Sequence, residues 1–563
     1  MSIDTQPGGY ISEIELNNGD KISLKPNDIV IFVGPNNVGK SQALKDIFAL
    51  SDKSQEGMIV KSISIQKYSA SIVPLLQSLS TENNCGNYSI YKIFGSDIVI
   101  THGLENAHLK EEKYSNLRPL FVDNLDTSAR LSICNPPPSI RVKGPKSHPI
   151  HYVAFNPVCR EWLSSKFKKA FQTDVIPNTF FGSEIPLCMG EQFNLGNDYN
   201  NEIERQEAVT ERLANYPQVH EQGDGVKSFT GILLHLMLKH ICTFIIDEPE
   251  SFLHPPQAKI MGQIIGETLT DKQQAFISTH SEEIIKGIVE TCPERIKIIR
   301  ITRDADINHF AILDNEKLQN VWNDSLMKHS NIMSGLFHKK VILCESDSDC
   351  KMYSIIEDHL CQSEGVFSET LFIHCGGKHR IPKVAEALIQ LGVDISVIVD
   401  LDVLNNVSLF KNLVTTFGVA WDELENDYNL LISNINPSQS ILKRNDIRDR
   451  LNQIIDKDNS VNLSTDEIKR LKEALHSPSK WDDIKKYGEN AIPRGNAFES
   501  YKRVCQQLIR KRIFLVPTGE LEGFLREVGG HGPEWVNTVL QEYPDLNAPK
   551  YDSIKNFVAK IRE

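Results

Sequence analysis

Between residues 28 and 50 the chain reads DIVIFVGPNNVGKSQALKDIFAL: an apolar run, a glycine-bounded octapeptide and a helically spaced segment in succession. This stretch narrows the fold more than any other. DIVIFVG (28–34) lacks the polar alternation of a half-exposed strand. It predicts a strand buried on both faces, as in a parallel sheet. SQALKDIFAL (41–50) sets Leu44, Ile47 and Phe48 on one side of a helix. The loop between them, GPNNVGKS (34–41), fits G-x-x-x-x-G-K-[ST]. Gly34, Asn37 and Gly39 would let backbone N–H groups approach phosphate oxygens, and the helix N-terminus adds partial positive charge there. Lys40 is expected at the β- and γ-phosphates of ATP, and Ser41 on its Mg²⁺.

FIIDEPE (244–250) supplies the complement. An apolar strand would deliver Asp247 to the metal, with Glu248 beside it to polarise the attacking water. His280, ending QAFISTH, is a candidate γ-phosphate sensor. Around these motifs ISEIEL and KISL flank Asn-Asn-Gly-Asp as a hairpin. SFTGILLHLMLKH (228–240) and SEEIIKGIVE (281–290) read as helices, and RIKIIRITRD (295–304) as a strand.

A chain of 563 residues is too long for a single core. A polar connector near 325–338 precedes a fresh strand–helix series. The expected division is an ATPase domain over 1–335 and a second α/β domain over 336–563, with a mainly helical insertion at about 405–512. The net charge of −13 argues against coating nucleic acid through overall charge. Eleven cysteines stand singly, without C-x-x-C, against a zinc ribbon. That usage, and an N-terminus without a signal pattern, lead us to expect a cytoplasmic protein. The most apolar stretch, Phe229 to Ile246, carries His235, Lys239 and His240, so no membrane span is expected.

In the second half, VILCES (341–346), LFIHCGG (371–377) and ISVIVDLD (395–402) read as strands separated by helices, a parallel α/β pattern. Asp400 and Asp402, one residue apart at the end of a strand, would leave it on the same face. Like charges so close call for a hard cation, Mg²⁺ or Mn²⁺. Asp-x-Asp alone is more often a plain acidic turn. Here Glu345 ends the preceding strand, Asp349 follows at a helix start, HCGGKHR supplies Lys378, and GELEGF (519–524) brings Glu520 and Glu522 to the start of an expected helix. KRVCQQLIRKR (502–512) is a candidate phosphate-contacting face, whereas KFKKAF (166–171) reads as a solvated helix.

DEPESFLHPPQ (247–257) with STHS (278–281) resembles the ATP-binding-cassette ATPases of the SMC-like and OLD (overcoming lysogenization defect) type. QGDGVKS (222–228) is similar to their L-S-G-G-E-K-S loop, with Gly223 and Asp224 replacing its first serine and glycine. The resemblance implies that Gly225 and Ser228 contact the nucleotide of a partner subunit, and so a homo-oligomer assembled through ATPase heads. The strand–Glu, strand–Gly-Gly-Lys, strand–Asp-x-Asp order resembles the Toprim fold. It implies that Glu345, Asp349, Asp400 and Asp402 hold metal at phosphodiester bonds, joined by Glu522, or Glu520. It also implies a C-terminal lysine, best matched by Lys555, with Lys550 or Lys560 as alternatives. One partition assigns Glu345 and Asp349 to one metal, and Asp400, Asp402 and Glu522 to the other. An ATPase followed by Toprim is the arrangement of OLD nucleases. It implies a DNA endonuclease of anti-phage defence, alone, beside a helicase, or with a reverse transcriptase and its RNA or DNA. A Toprim topoisomerase or primase, or an SMC-like structural ATPase with an inactive Toprim domain, are the alternatives.

Overall fold

The computed structural model describes residues 7–53, 56–80, 82–84, 88–93, 96–101, 112–142, 144, 146–193, 201–313, 332–435, 444–455, 464, 466–468, 470–471 and 480–562. The chain forms two compact units, Met1–His329 and Ser330–Glu563. Residues 325–331 of the expected connector lie outside the described residues, and within the rest Met333–Phe337 forms a 3-10 turn. Both units are mixed α/β: a P-loop ATPase domain lies in the first and a Toprim domain in the second.

The first unit is built on a six-stranded sheet. Its order is Ile307–Leu313, Ile296–Asp304, Ile29–Val33, Gln274–Ser278, Thr243–Asp247 and Val122–Leu125, parallel except for the antiparallel edge strand Ile307–Leu313. Every residue of Ile29–Val33 is buried, as its uninterrupted apolar run requires. The loop strand therefore lies inside the sheet, between the strands that end at Ser278 and Asp304. The expected hairpin is present, with Gly9–Leu16 antiparallel to Lys21–Ser23. Helix Lys40–Leu50 buries Ala43, Leu44 and Ile47. Among the described residues no helix is long and apolar enough to cross a membrane. Every described cysteine is an unpaired thiol.

The second unit holds a four-stranded parallel sheet in the order Thr370–His374, Lys340–Cys344, Asp394–Val399 and Ile513–Leu515. Helices Asp347–Glu364 and Ile381–Gln390 form its crossovers. Tyr353, Trp535, Tyr551 and Phe557 pack one face into a core with Ile342, Ile398 and Phe514. Between Val399 and Ile513 the chain leaves the sheet through helices including Val407–Thr416, Trp421–Ile435, Lys480–Tyr487 and Asn496–Arg510.

Two local expectations change. The strand stops at Val399, and Leu401–Asn405 winds into a 3-10 turn, so Asp400 and Asp402 do not share a strand face. GELEGFLREV does not begin a helix: Leu521–Phe524 is a single 3-10 turn, and the next helix is Pro533–Glu542. Gly519, at φ +100, turns the chain there.

Candidate functional site

At the end of strand Ile29–Val33 the loop is shaped by residues with positive φ: Gly34 (+142), Asn37 (+62) and Gly39 (+101). A Cβ on Gly34 would run into the Ile301 carbonyl, so close packing as well as conformation demands glycine. Lys40 is buried and curls over its own loop, donating to the carbonyls of Gly34 (2.9 Å) and Pro35 (2.6 Å). Burial lowers its pKa to about 8, while Glu248, Glu250 and Asp247 pull it back up.

Parallel pairing puts Asp247 opposite Ser278. Asp247 Oδ1 accepts hydrogen bonds from Ser41 Oγ (2.9 Å) and from Ser278 Oγ. The two expected Mg²⁺ ligands, Ser41 and Asp247, are thus adjacent, and their oxygens suit a hard cation. Glu248 follows at φ +48. His280 Nε2 lies 3.8 Å from Glu248 Oε1. Burial, then the nearby Lys40, lowers the His280 pKa, against the pull of Glu248 and Asp247.

Three residues of this site were not singled out in the sequence. Arg130, fully buried, donates to the carbonyls of Asp247 (2.8 Å) and Glu248 (3.1 Å). Glu250 accepts from Thr279 Oγ1 (2.8 Å) and from the His280 backbone N–H (2.7 Å), tying the acidic turn to the histidine turn. Ser278 is the third. Glu250 and Ser278 lie inside the DEPE and STHS motifs and were within reach, whereas nothing in the sequence around Arg130 signals its role.

Gly223–Ser228 begins helix Asp224–Leu236. A Cβ on Gly225 would come within 2.6 Å of the Phe252 carbonyl, so the glycine permits close packing against the turn that follows Glu250. Ser228 is fully buried, and its Oγ meets no partner among the described residues.

In the second unit the sheet converges carboxylates at its C-terminal edge, where parallel α/β sheets place ligands. Glu345, Asp400 and Asp402 offer oxygens that all lie within 4.8 Å of one another. The Asp400 backbone N–H donates to Glu345 Oε1 (3.1 Å), and Lys378 donates to Asp402 Oδ2 (2.7 Å). Asp402 Oδ1 is buried and has no partner among the described residues. Burial first, then neighbouring carboxylates, raise the Glu345 pKa to about 7, against hydrogen bonding from Asp400 and the charge of Lys378. Burial and the charges of Glu345, Asp349 and Asp402 push Asp400 well above the usual carboxylate range. Crowded, partly desolvated carboxylates with an orphaned oxygen fit a hard divalent cation.

A second group joins Glu520, Glu522 and His531, again with ligand atoms within 4.8 Å. His531 Nδ1 is 2.6 Å from Glu522 Oε1, an oxygen that also accepts from the Gly532 N–H (2.8 Å). His531 was missed, although its setting in GGHG was a usable signal. Here Glu345 groups with Asp400 and Asp402, whereas the expected partition set it with Asp349, whose charge acts on both Glu345 and Asp400. Asp349 caps its own helix by accepting from the Ser346 N–H (2.8 Å), while Ser346 caps in return. Its carboxyl is raised by burial and by Glu522.

Lys555 pairs with Asp552 on its own helix (3.0 Å), and Lys550 with Glu527 (3.4 Å). Lys485, on helix Lys480–Tyr487, lies 3.4 Å from Glu520. The basic face at 502–512 is partly committed: Arg503 forks onto Asp427 (2.6 and 3.1 Å), and Arg512 reaches Asp394 (2.6 Å). Lys166 and Lys169 share Glu267, and Lys168 pairs with Asp174.

Comparison with known proteins matches two families. Residues 161–286 match the family described as "AAA domain, putative AbiEii toxin, Type IV TA system". Residues 336–402 match the "Overcoming lysogenization defect protein-like, TOPRIM domain" family. The "Old nuclease" of Escherichia phage P2 is 23% identical over 202 residues, a match covering 34% of this chain and 33% of that protein. Solved structures similar to parts of the chain include an SMC head bound to the C-winged helix domain of ScpA (13% identity, TM-score 0.34, 55% of this chain and 99% of that one). Another is the SMC head domain from Thermotoga maritima (12%, TM-score 0.27, 55% and 97%).

Proposed function

We propose that this chain, which has the ATPase–Toprim architecture of the OLD family, is an ATP-regulated, divalent-metal-dependent DNA endonuclease. The observation that carries the reading is the meeting of Glu345, Asp400 and Asp402 at the edge of the parallel sheet, with Asp402 Oδ1 orphaned. Glu345, Asp400 and Asp402 hold one cation. Glu520, Glu522 and His531 are a second donor set, with Asp349 between the two groups electrostatically. The oxygen-only set suits Mg²⁺ or Mn²⁺, and the imidazole in the second favours Mn²⁺. When bound, such ions supply Lewis acidity and charge neutralisation at a phosphodiester. The protein's part is to aim the carboxylates from rigid strand ends and to keep a lysine ready to neutralise phosphate charge, a role the family resemblance gives to Lys555.

In the first unit Gly34, Asn37, Gly39 and Lys40 cradle the nucleotide phosphates. Ser41 and Asp247 hold its Mg²⁺, Glu248 polarises water, and His280 senses the γ-phosphate. Lys40 exchanges its two loop carbonyls for phosphate oxygens on binding. Gly225 lies at a surface that meets a second copy of the chain, which makes the active form at least a dimer. ATP acts as a gate, because no residue of its site takes part in phosphodiester cleavage. A place in anti-phage defence belongs to the same reading, and a helicase or reverse transcriptase encoded beside the gene would support it.

Plasmid nicking tests the function. Cleavage with Mg²⁺ or Mn²⁺ that stops in EDTA agrees with it. Relaxation followed by religation, or no effect on DNA under any of these conditions, rejects it.

A further inference from the structure

Helix Lys480–Tyr487 is the last but one helix before the chain returns to the Toprim sheet at Ile513. It is locked onto the loop that carries Glu520. A Cβ on Gly519 would strike the Lys485 carbonyl, and one on Gly488 the Pro517 carbonyl, so the two backbones touch. The Glu489 N–H donates to Pro517 (2.9 Å), and the Leu401 N–H, between the two aspartates, donates to Gly519 (3.0 Å). Trp481 and Ile484 are buried and anchor the helix. One segment thus holds Lys485 against both carboxylate groups. Its ammonium is 3.4 Å from Glu520 Oε2 and within electrostatic range of Asp400 and Asp402. Among the described residues, Lys378 from the 3-10 turn Lys378–Arg380, Lys485 from the insertion and the His531 imidazole face these carboxylates.

We propose that Lys485 is an exchangeable counterion: its ammonium neutralises Glu520 until a divalent cation takes its place, so the last helices of the insertion respond to whether the site is loaded. The inference rests on the metal reading above. Lys485 is a positioning residue, not a ligand. Removing its charge should make cation binding easier while leaving Glu520 free to wander, so affinity and cleavage should move in opposite directions. A residue that only supported the fold would lower both.

The test is Mn²⁺ binding to the full-length protein, followed by electron paramagnetic resonance, beside plasmid nicking. Lys485→Gln should bind Mn²⁺ roughly threefold more tightly, the scale expected for one partly exposed charge, and cut several-fold more slowly. Lys485→Arg should return both values towards wild type. Unchanged or weaker Mn²⁺ binding by Lys485→Gln overturns the proposal. Glu522→Gln serves as the control on the reading beneath it, because Glu522 belongs to the same donor set as Glu520. If Glu522→Gln binds Mn²⁺ like wild type, that cation site itself fails; if it loses binding while Lys485→Gln is unchanged, only the counterion role fails. Should Lys485→Gln not fold, hydrogen exchange of residues 480–487 in the wild type decides. Faster exchange on adding Mg²⁺ supports the role, and unchanged exchange overturns it.

Discussion

The two sites gather similar residues and treat their charge in opposite ways. In the ATPase site the protein supplies the partners. Asp247 receives two serine hydroxyls, its carbonyl receives Arg130, and Glu250 is held by Thr279 and a backbone amide. In the Toprim site Glu345, Asp400 and Asp402 crowd together; among the described residues one lysine and one backbone N–H bond to them directly, and a buried oxygen is left over. The first arrangement is preorganised by hydrogen bonds. The second stores repulsion that a cation relieves. A site organised from within should tolerate the removal of metal; one organised by its cation should not.

The sharpest way to break this contrast is to remove one carboxylate. Asp400→Asn should reduce metal-dependent nicking by roughly a thousandfold or more, the order expected when a metal ligand of a hydrolytic centre is lost, with ATP binding unchanged. Nicking near the wild-type rate would show that the crowding serves no chemistry. Next in size, Lys40→Ala should lower ATP hydrolysis by about a hundredfold, since an ammonium aimed at developing phosphate charge is lost. If ATP is a gate, the same variant cuts DNA at a rate that no longer depends on ATP.

Stability against pH should separate the sites further. Glu345 has its pKa raised to about 7 by burial, so the folded chain keeps a proton that the unfolded chain releases near 4.5. Stability is therefore favoured at low pH and falls as pH rises from about 4.5 to 7, by about 3.5 kcal/mol at most from this group. Thermal unfolding in EDTA should show the fall. Mn²⁺ should flatten it, and so should Glu345→Gln. Arg130→Ala should cost about 2 kcal/mol by leaving two partly buried carbonyls without this donor, with the same loss of melting temperature in EDTA and in Mn²⁺. The smallest effect belongs to Ser228→Ala. A buried hydroxyl without a partner contributes little, so stability should stay within about 0.5 kcal/mol and ATP hydrolysis should be unaltered. A large loss of hydrolysis would instead place Ser228 at a nucleotide.

Contiguous motifs were legible before the structure. GPNNVGKS fixes its own strand, loop and helix, because glycine placement, apolar run and helical spacing all act within 23 residues. The meeting of Glu345 with Asp400 and Asp402 follows from parallel strands whose ends align by register. What escaped depends on packing between distant segments. Arg130 reaches Asp247 across the first unit, and Lys485 reaches Glu520 through a helix whose course no local pattern sets. The turn at Asp400 escaped for a different reason: its backbone bonds run to a distant segment, the Leu401 N–H donating to the Gly519 carbonyl (3.0 Å), which no local pattern signals. GELEGFLREV has helical composition, but Gly519 and Gly523 pack against neighbouring backbone and keep it to one 3-10 turn.

Anomalous diffraction at the manganese edge, from crystals of the wild-type protein soaked in Mn²⁺, tests the central claim most directly. The account predicts a peak bounded by the carboxylates of Glu345, Asp400 and Asp402. Well-ordered carboxylates with no peak among them at saturating Mn²⁺ would contradict it.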